Sequence, residues 1–190
     1  MISICPWALG DPLLCAYHDA EWGVPCHDDR ALFELLCLEG AQAGLSWLTI
    51  LRRRDGYRNA FHHFSIDDCA ALTDDELEDI RLHGPVIRNR LKIASVRRNS
   101  RVVQAIQEEY GSFDAYVWHF TDGRQIRNAW KRQEDMPAQS ELSERISKDL
   151  KRRGASFVGP VIIYSFLQAA GVLNDHLESC PWGDRCSINE

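Results

Sequence analysis

The chain has 190 residues, 45% hydrophobic and 26% charged, which suggests one domain, or at most two small ones, with enough chain for one sizeable core, and excludes a disordered chain. No apolar run approaches the roughly 20 residues of a bilayer span, and the first ten residues carry no base and only a short apolar stretch, so no membrane partner and a cytoplasmic location are expected. Lys and Arg number 22 against 28 Asp and Glu, a net charge of −6, which argues against a partner held by charge over the whole surface.

Helical periodicity runs through most of the chain. Asp28 or Asp29 can cap a helix whose apolar positions are Leu32, Phe33, Leu35, Leu36 and Leu38. A second helix starts near Leu45 and carries Trp47, Leu48, Ile50 and Leu51. Ser65 to Asp68 and Thr73 to Glu76 both have capping-box spacing and predict two short helices. A longer helix is expected over about 87–108, and Ser112 can cap another short one. Residues 121–140 hold few apolar anchors and read as a long loop; helices resume over about 141–153 and 159–170. Nothing alternates with period two for long enough to claim a sheet. The fold class is therefore all-α.

Charge is sharply segregated. Residues 65–79 hold seven acids and no Lys or Arg, whereas residues 80–107 hold no acid and seven bases: Arg81, Arg88, Arg90, Lys92, Arg97, Arg98 and Arg101. Such a switch can build a local basic face on an acidic protein, although a solvated helix face would read the same. Between the two stretches lies Leu82-His83-Gly84-Pro85-Val86-Ile87, a Gly-Pro turn with the form of a helix-hairpin-helix over about 75–107. Backbone amides at such a turn, with the dipole of the following helix, can hold a DNA phosphate without reading sequence; an ordinary helix connection is the alternative. Lys148, Lys151, Arg152 and Arg153 form a second basic cluster that reads as a solvated helix end.

Seven cysteines, an odd number, in a cytoplasmic chain argue for metal or chance rather than a disulfide framework. Cys5 and His18 near one end, with His176 and Cys180 near the other, offer two nitrogen and two sulfur ligands, the donor set of a closed structural Zn²⁺ site. His176 and Cys180 share a face if helical, while Cys26, His27 and Cys186 remain rival ligands. A zinc deaminase is excluded, because Pro25-Cys26 is the one Pro-Cys pair and is not followed by the required second cysteine. Glu39 ends an apolar helix beside Gly40, Ala41, Ala43 and Gly44; it is either a solvated helix-terminal acid or a buried functional group. The nearby aromatics Tyr17, Trp22 and Trp47 allow a pocket suited to a planar, electron-poor base.

Five blocks in order carry a family resemblance: Ala16-Tyr17-His18-Asp19-Ala20-Glu21-Trp22-Gly23-Val24-Pro25, Leu38-Glu39-Gly40-Ala41-Gln42-Ala43-Gly44-Leu45-Ser46-Trp47, Ile87-Arg88-Asn89-Arg90-Leu91-Lys92-Ile93, Phe157-Val158-Gly159-Pro160 and Leu173-Asn174-Asp175-His176. Over almost its whole length the chain resembles the type I 3-methyladenine DNA glycosylases of bacterial base-excision repair. That resemblance implies a helix-hairpin-helix glycosylase fold whose termini are fastened by one structural Zn²⁺ on Cys5, His18, His176 and Cys180. It implies Glu39 as the pocket carboxylate, Trp47 as the aromatic on which the base stacks, and Tyr17, Trp7 and Trp22 as further pocket rings. Gly84, Pro85, Val86, Arg88, Arg90 and Lys92 are the expected contacts to double-stranded DNA containing alkylated adenine. One departure is Leu14, where members often carry Tyr. No acid follows the hairpin, so catalysis rests on flipping a base already made a good leaving group by alkylation, and no lysine nucleophile is needed. The enzyme is expected to be a monomeric, monofunctional glycosylase without lyase activity. The alternatives are a non-catalytic module for damaged DNA, a relative that removes another alkylated base, and, most distant, a metal-dependent hydrolase.

Overall fold

A computed structural model describes residues 4–185, and over them the chain is mostly helical. The α-helices are α1 Pro12–Ala20, α2 Asp29–Gln42, α3 Trp47–Leu51, α4 Arg54–Ala60, α5 Ile66–Ala71, α6 Asp74–His83, α7 Arg90–Tyr110, α8 Phe113–His119, α9 Glu141–Arg152, α10 Pro160–Ala169 and α11 Trp182–Arg185. Cys186, one of the rival ligands, lies outside the described residues.

Helix α2 is the axis of the molecule. Asp28 caps it by accepting from the Ala31 amide at 2.8 Å, and every residue from 32 to 41 is buried. A helix that is buried all round must meet neighbours on every face, and α3, α7, α8 and α10 supply them. Its Leu32, Phe33, Leu36 and Leu38 form a continuous core with Phe61, Phe64, Ile106, Phe113, Tyr116 and Phe166. A second, smaller cluster of Cys5, Tyr17, Trp22, Leu51, Leu177 and Cys180 joins the two ends of the chain.

The Thr73 capping box forms as the spacing predicts: Thr73 Oγ1 accepts from the Glu76 amide at 3.2 Å and Glu76 Oε2 from the Thr73 amide at 2.7 Å. Ser65 does precede a helix, but its side chain makes no capping bond. Helix α7 begins at Arg90, three residues later than expected, because Asn89 Oδ1 accepts from the amides of Leu91 and Lys92. It ends at Gly111, whose φ of 88° is a left-handed cap. Helices α1, α4 and α11 are too short for periodicity to reveal. The all-α expectation also missed a small sheet: β1 Ile126–Arg127 pairs in parallel with β2 Leu173–Asn174. Two residues are too few to show alternation, so the segment 121–140 reads as loop. The same segment is anchored by Gln125 Nε2, which donates to the carbonyls of Gly23 and Gly171.

Candidate functional site

The buried axis helix carries two buried acids, and they differ in one respect. Glu34 is paired: Arg54 Nε lies 2.6 Å and Arg58 Nη2 2.8 Å from its Oε1. Glu39, five residues on, has no partner for its buried Oε2 among the described residues. Burial pushes its carboxyl up to about 8, so at neutral pH the group is mostly uncharged. An unpaired buried carboxyl costs stability, and such groups are kept where a ligand meets them.

Glu39 opens into a cavity of about 370 Å³ lined by Trp7, Tyr17, Trp22, Gln42, Trp47, Gln133, Met136, Ser165 and Gln168 as well. Two further buried polar atoms there lack partners among the described residues, the Tyr17 hydroxyl and Trp47 Nε1. Burial, then the nearby Glu39, push the Tyr17 phenol well above its ordinary range, so it stays a donor. The wall is aromatic: Tyr17 and Trp47 rings stand 5.3 Å apart, Trp7 and Trp22 rings 5.0 Å apart. Local sequence sets Trp47. Gly44 takes φ +77°, a left-handed turn that breaks α2, and Ser46 Oγ then caps α3 by accepting from the Thr49 amide, which makes Trp47 its first residue. A larger cleft of about 590 Å³, beside Pro6 and Lys131, holds no buried titratable group.

The structure brings together the five pocket residues named from the sequence, Glu39, Trp47, Tyr17, Trp7 and Trp22. Gln42, Gln133, Met136, Ser165 and Gln168 were missed, because a helix face and a distant loop give no motif. Leu14 is half-buried against the aromatic cluster and is not among the residues that line the cavity.

The four predicted metal ligands also meet. Cys5, His18, His176 and Cys180 are all buried, their ligand atoms lie within 4.8 Å of one another, and they could hold a metal ion. Cys180 Sγ is 3.6 Å from His18 Nε2 and 3.5 Å from His176 Nδ1; Cys5 Sγ is 3.8 Å from His176 Nδ1. The ring nitrogens facing away are engaged, His18 Nδ1 with Asp19 Oδ1 at 2.7 Å and His176 Nε2 with the Trp22 carbonyl at 2.9 Å. Such outer partners fix the tautomer that points a lone pair at a metal. Burial holds the His176 imidazole down at about 4 and pushes the Cys5 thiol up to about 12. The rivals Cys26 and His27 lie elsewhere: the Cys26 carbonyl accepts from Trp118 Nε1, and the exposed His27 pairs with Asp114.

The basic stretch is less uniform than its sequence suggests. Lys92 corrects an expectation: its ammonium donates to the carbonyls of Ala41 at 2.8 Å and Ala43 at 2.6 Å, closing the end of α2 instead of facing a phosphate. Arg97 and Arg101 likewise bond the Leu72 and Ala70 carbonyls, and Arg81 pairs with Glu78. Arg88, Arg90 and Arg98 are exposed. Gly84 and Pro85 are corrected as amide donors, because the Gly84 amide bonds the Ile80 carbonyl at 2.9 Å and proline has none. A Cβ on Gly84 would stand 2.5 Å from the Ile80 oxygen, so the turn needs glycine. Of the hairpin amides, those of Val86 and Arg88 donate to no acceptor among the described residues. Arg52 and Arg53 join Gly84, Pro85, Val86 and Arg88 around one cleft of about 520 Å³. The run Arg52-Arg53-Arg54 was the signal that could have found them.

The chain is similar to known proteins in sequence and fold. The chain matches the methyladenine glycosylase family over residues 7–183. It is 42% identical over 177 residues to DNA-3-methyladenine glycosylase 1 of Escherichia coli (strain K12), covering 93% of this chain and 94% of that protein. A solved 3-methyladenine DNA glycosylase I from Staphylococcus aureus, described for its recognition of 3-methyladenine, superposes with a TM-score of 0.92 at 34% identity, covering 96% of this chain and 97% of that one. A variant of 3-methyladenine DNA glycosylase I in complex with 3-methyladenine gives a TM-score of 0.92 at 34% identity, covering 94% and 96%.

Proposed function

The chain belongs to the methyladenine glycosylase family, and from that premise we infer that it is a DNA-3-methyladenine glycosylase that removes 3-methyladenine from alkylated DNA in base-excision repair. The observation that carries the pocket assignment is the trio of buried, unpartnered polar atoms on Tyr17, Glu39 and Trp47 around one aromatic cavity. A purine buried there would meet an aromatic wall and unpartnered polar groups.

Alkylation at N3 gives the nucleoside base a positive charge. The flipped base stacks on Trp47, with Trp7, Tyr17 and Trp22 completing the wall. Its charge favours the ionised form of Glu39, which then accepts hydrogen bonds from it; neutral adenine brings no such charge and gains less. A water oxygen adds to C1′, the C1′–N9 bond breaks with its electron pair going to the ring, and the base leaves neutral while the water proton passes to solvent. No lysine is among the cavity-lining residues, which supports hydrolysis without strand cleavage.

Cys5, His18, His176 and Cys180 fit Zn²⁺. Zn–S near 2.3 Å and Zn–N near 2.05 Å at tetrahedral angles put S and N about 3.6 Å apart, close to the 3.5, 3.6 and 3.8 Å separations of the cluster. When bound, the ion supplies the positive charge that holds two buried thiolates and fastens the chain ends; four protein ligands leave no position for substrate, so its role is structural. We assign residues 1–190 to one helix-hairpin-helix domain acting as a monomer on double-stranded DNA. Helix α6, the turn and α7 present the phosphate-binding amides of Val86 and Arg88, with Arg52, Arg53, Arg88 and Arg90 around them.

The test is base release from methylated duplex DNA, resolved by chromatography, for the wild type beside Glu39→Ala. Selective release of 3-methyladenine that falls sharply in the variant is expected. Release at the wild-type rate from Glu39→Ala would overturn the role of Glu39, and folded, DNA-binding protein that releases nothing would favour a damage-recognition module.

A further inference from the structure

Gln168 stands on α10 and lines the cavity, in a stretch of sequence that carries no motif. Its amide nitrogen is fully engaged: Nε2 donates to Asp175 Oδ2 at 2.7 Å and lies 3.1 Å from Met136 Sδ. Asp175 is wholly buried and also accepts from Tyr164 Oη at 2.6 Å, Asn128 Nδ2 at 2.6 Å and Trp130 Nε1 at 2.9 Å. Four donors on one buried carboxylate make a rigid anchor. That anchor also dictates which end of the Gln168 amide is which, since a reversed amide would set its oxygen against a carboxylate. The Gln168 Oε1 accepts no hydrogen bond from any described residue and is left as a preset acceptor on the cavity wall.

An acceptor is informative about a purine. On the rim of an N3-alkylated adenine the 6-amino group is the sole N–H donor, since N1 and N7 accept and N3 carries the methyl group. That amino group has two hydrogens; among the cavity-lining acceptors, Glu39 Oε2 is buried without a partner among the described residues, and Gln168 Oε1 is the amide oxygen whose direction a neighbouring carboxylate fixes. An N3-alkylated guanine carries a carbonyl oxygen at the same place, which would face acceptors. We propose that Gln168 is a specificity-determining residue: its Oε1, held in place by Asp175, accepts a hydrogen bond from the 6-amino group of the flipped base and so favours alkylated adenine over alkylated guanine. The inference rests on the glycosylase reading and names which base that site prefers.

The experiment measures single-turnover release from duplexes carrying 3-methyladenine or 3-methylguanine, for wild type, Gln168→Met and Gln168→Glu. Methionine keeps the length and unbranched shape without the acceptor. Glutamate keeps an oxygen on the cavity wall by sharing a proton with Asp175. The adenine-to-guanine rate ratio should fall about tenfold in Gln168→Met, the worth of one buried hydrogen bond, and recover in Gln168→Glu. A loss that strikes both bases equally is a packing defect and overturns the inference, as does an unchanged ratio. A second measurement needs no variant: on the wild type, free 3-methylpurine without the 6-amino group should inhibit about tenfold more weakly than free 3-methyladenine, and equal inhibition overturns the inference. Wild-type protein that releases neither base would sink the glycosylase reading itself.

Discussion

Glu39 shows how one side chain couples the chemistry to stability. Its carboxyl sits at about 8 in the folded chain against an ordinary 4.5, because burial disfavours the charged form. Between those values the folded state holds a proton that the unfolded state has given up, so stability falls as pH rises from about 4.5 to about 8. Glu39→Gln removes that penalty: its melting temperature should match the wild type near pH 4.5 and exceed it increasingly toward pH 8.5. Flat differential scanning curves across that range would show that the carboxyl is not held neutral. The same variant should release 3-methyladenine about 100-fold more slowly, so a gain in stability accompanies a loss of activity at one atom. Glu34 is the internal control, buried in the same helix but paired with Arg54 and Arg58.

Among the elements, the hairpin and the end of α2 are tied by Lys92, and the two can be separated by salt. Removing one phosphate-binding charge lowers the slope of log K against log salt by about 1. Arg88→Glu and Arg90→Glu should each flatten DNA binding in this way, whereas Lys92→Met should leave the slope unchanged while release falls, because its ammonium holds the Ala41 and Ala43 carbonyls beside Glu39. A slope that falls for Lys92→Met would return that residue to the DNA face. Gly84→Ala should cost about 1–3 kcal/mol in denaturant titration, as the added Cβ has no room beside Ile80. The long amphipathic helices and the Thr73 capping box were legible because they repeat a pattern. The short α1, α4 and the β1–β2 pair were not, since elements this brief are set by tertiary anchors such as Gln125. The sign of the basic stretch was legible too, but not which of its charges bond nearby carbonyls; that depends on chain segments distant in sequence.

The whole molecule closes through its ends. Cys5 and Trp7 are near in sequence, as are His18 and Tyr17, and His176 bonds the Trp22 carbonyl, so the Cys/His cluster and the aromatic cavity are built on the same segments. Zinc analysis should find about one ion per chain. A chelator should lower the melting temperature and abolish release together, and Cys180→Ser should do the same without added chelator. A melting temperature unmoved by complete metal removal would show that the cluster holds no structural ion. The residue types of this site were readable in the sequence; their convergence was not, because nothing local connects Cys5 with Cys180.

That convergence imposes an order on the life of the protein. During synthesis the segment that carries Trp7 and Tyr17 is made well before His176 and Cys180, the residues that gather beside it. A growing chain can thus complete its helical core, and even its hairpin, while its base pocket still lacks fixed walls. The closed cavity forms only once His176 and Cys180 have joined Cys5 and His18, so a chain cut before His176 should bind DNA without excising anything from it.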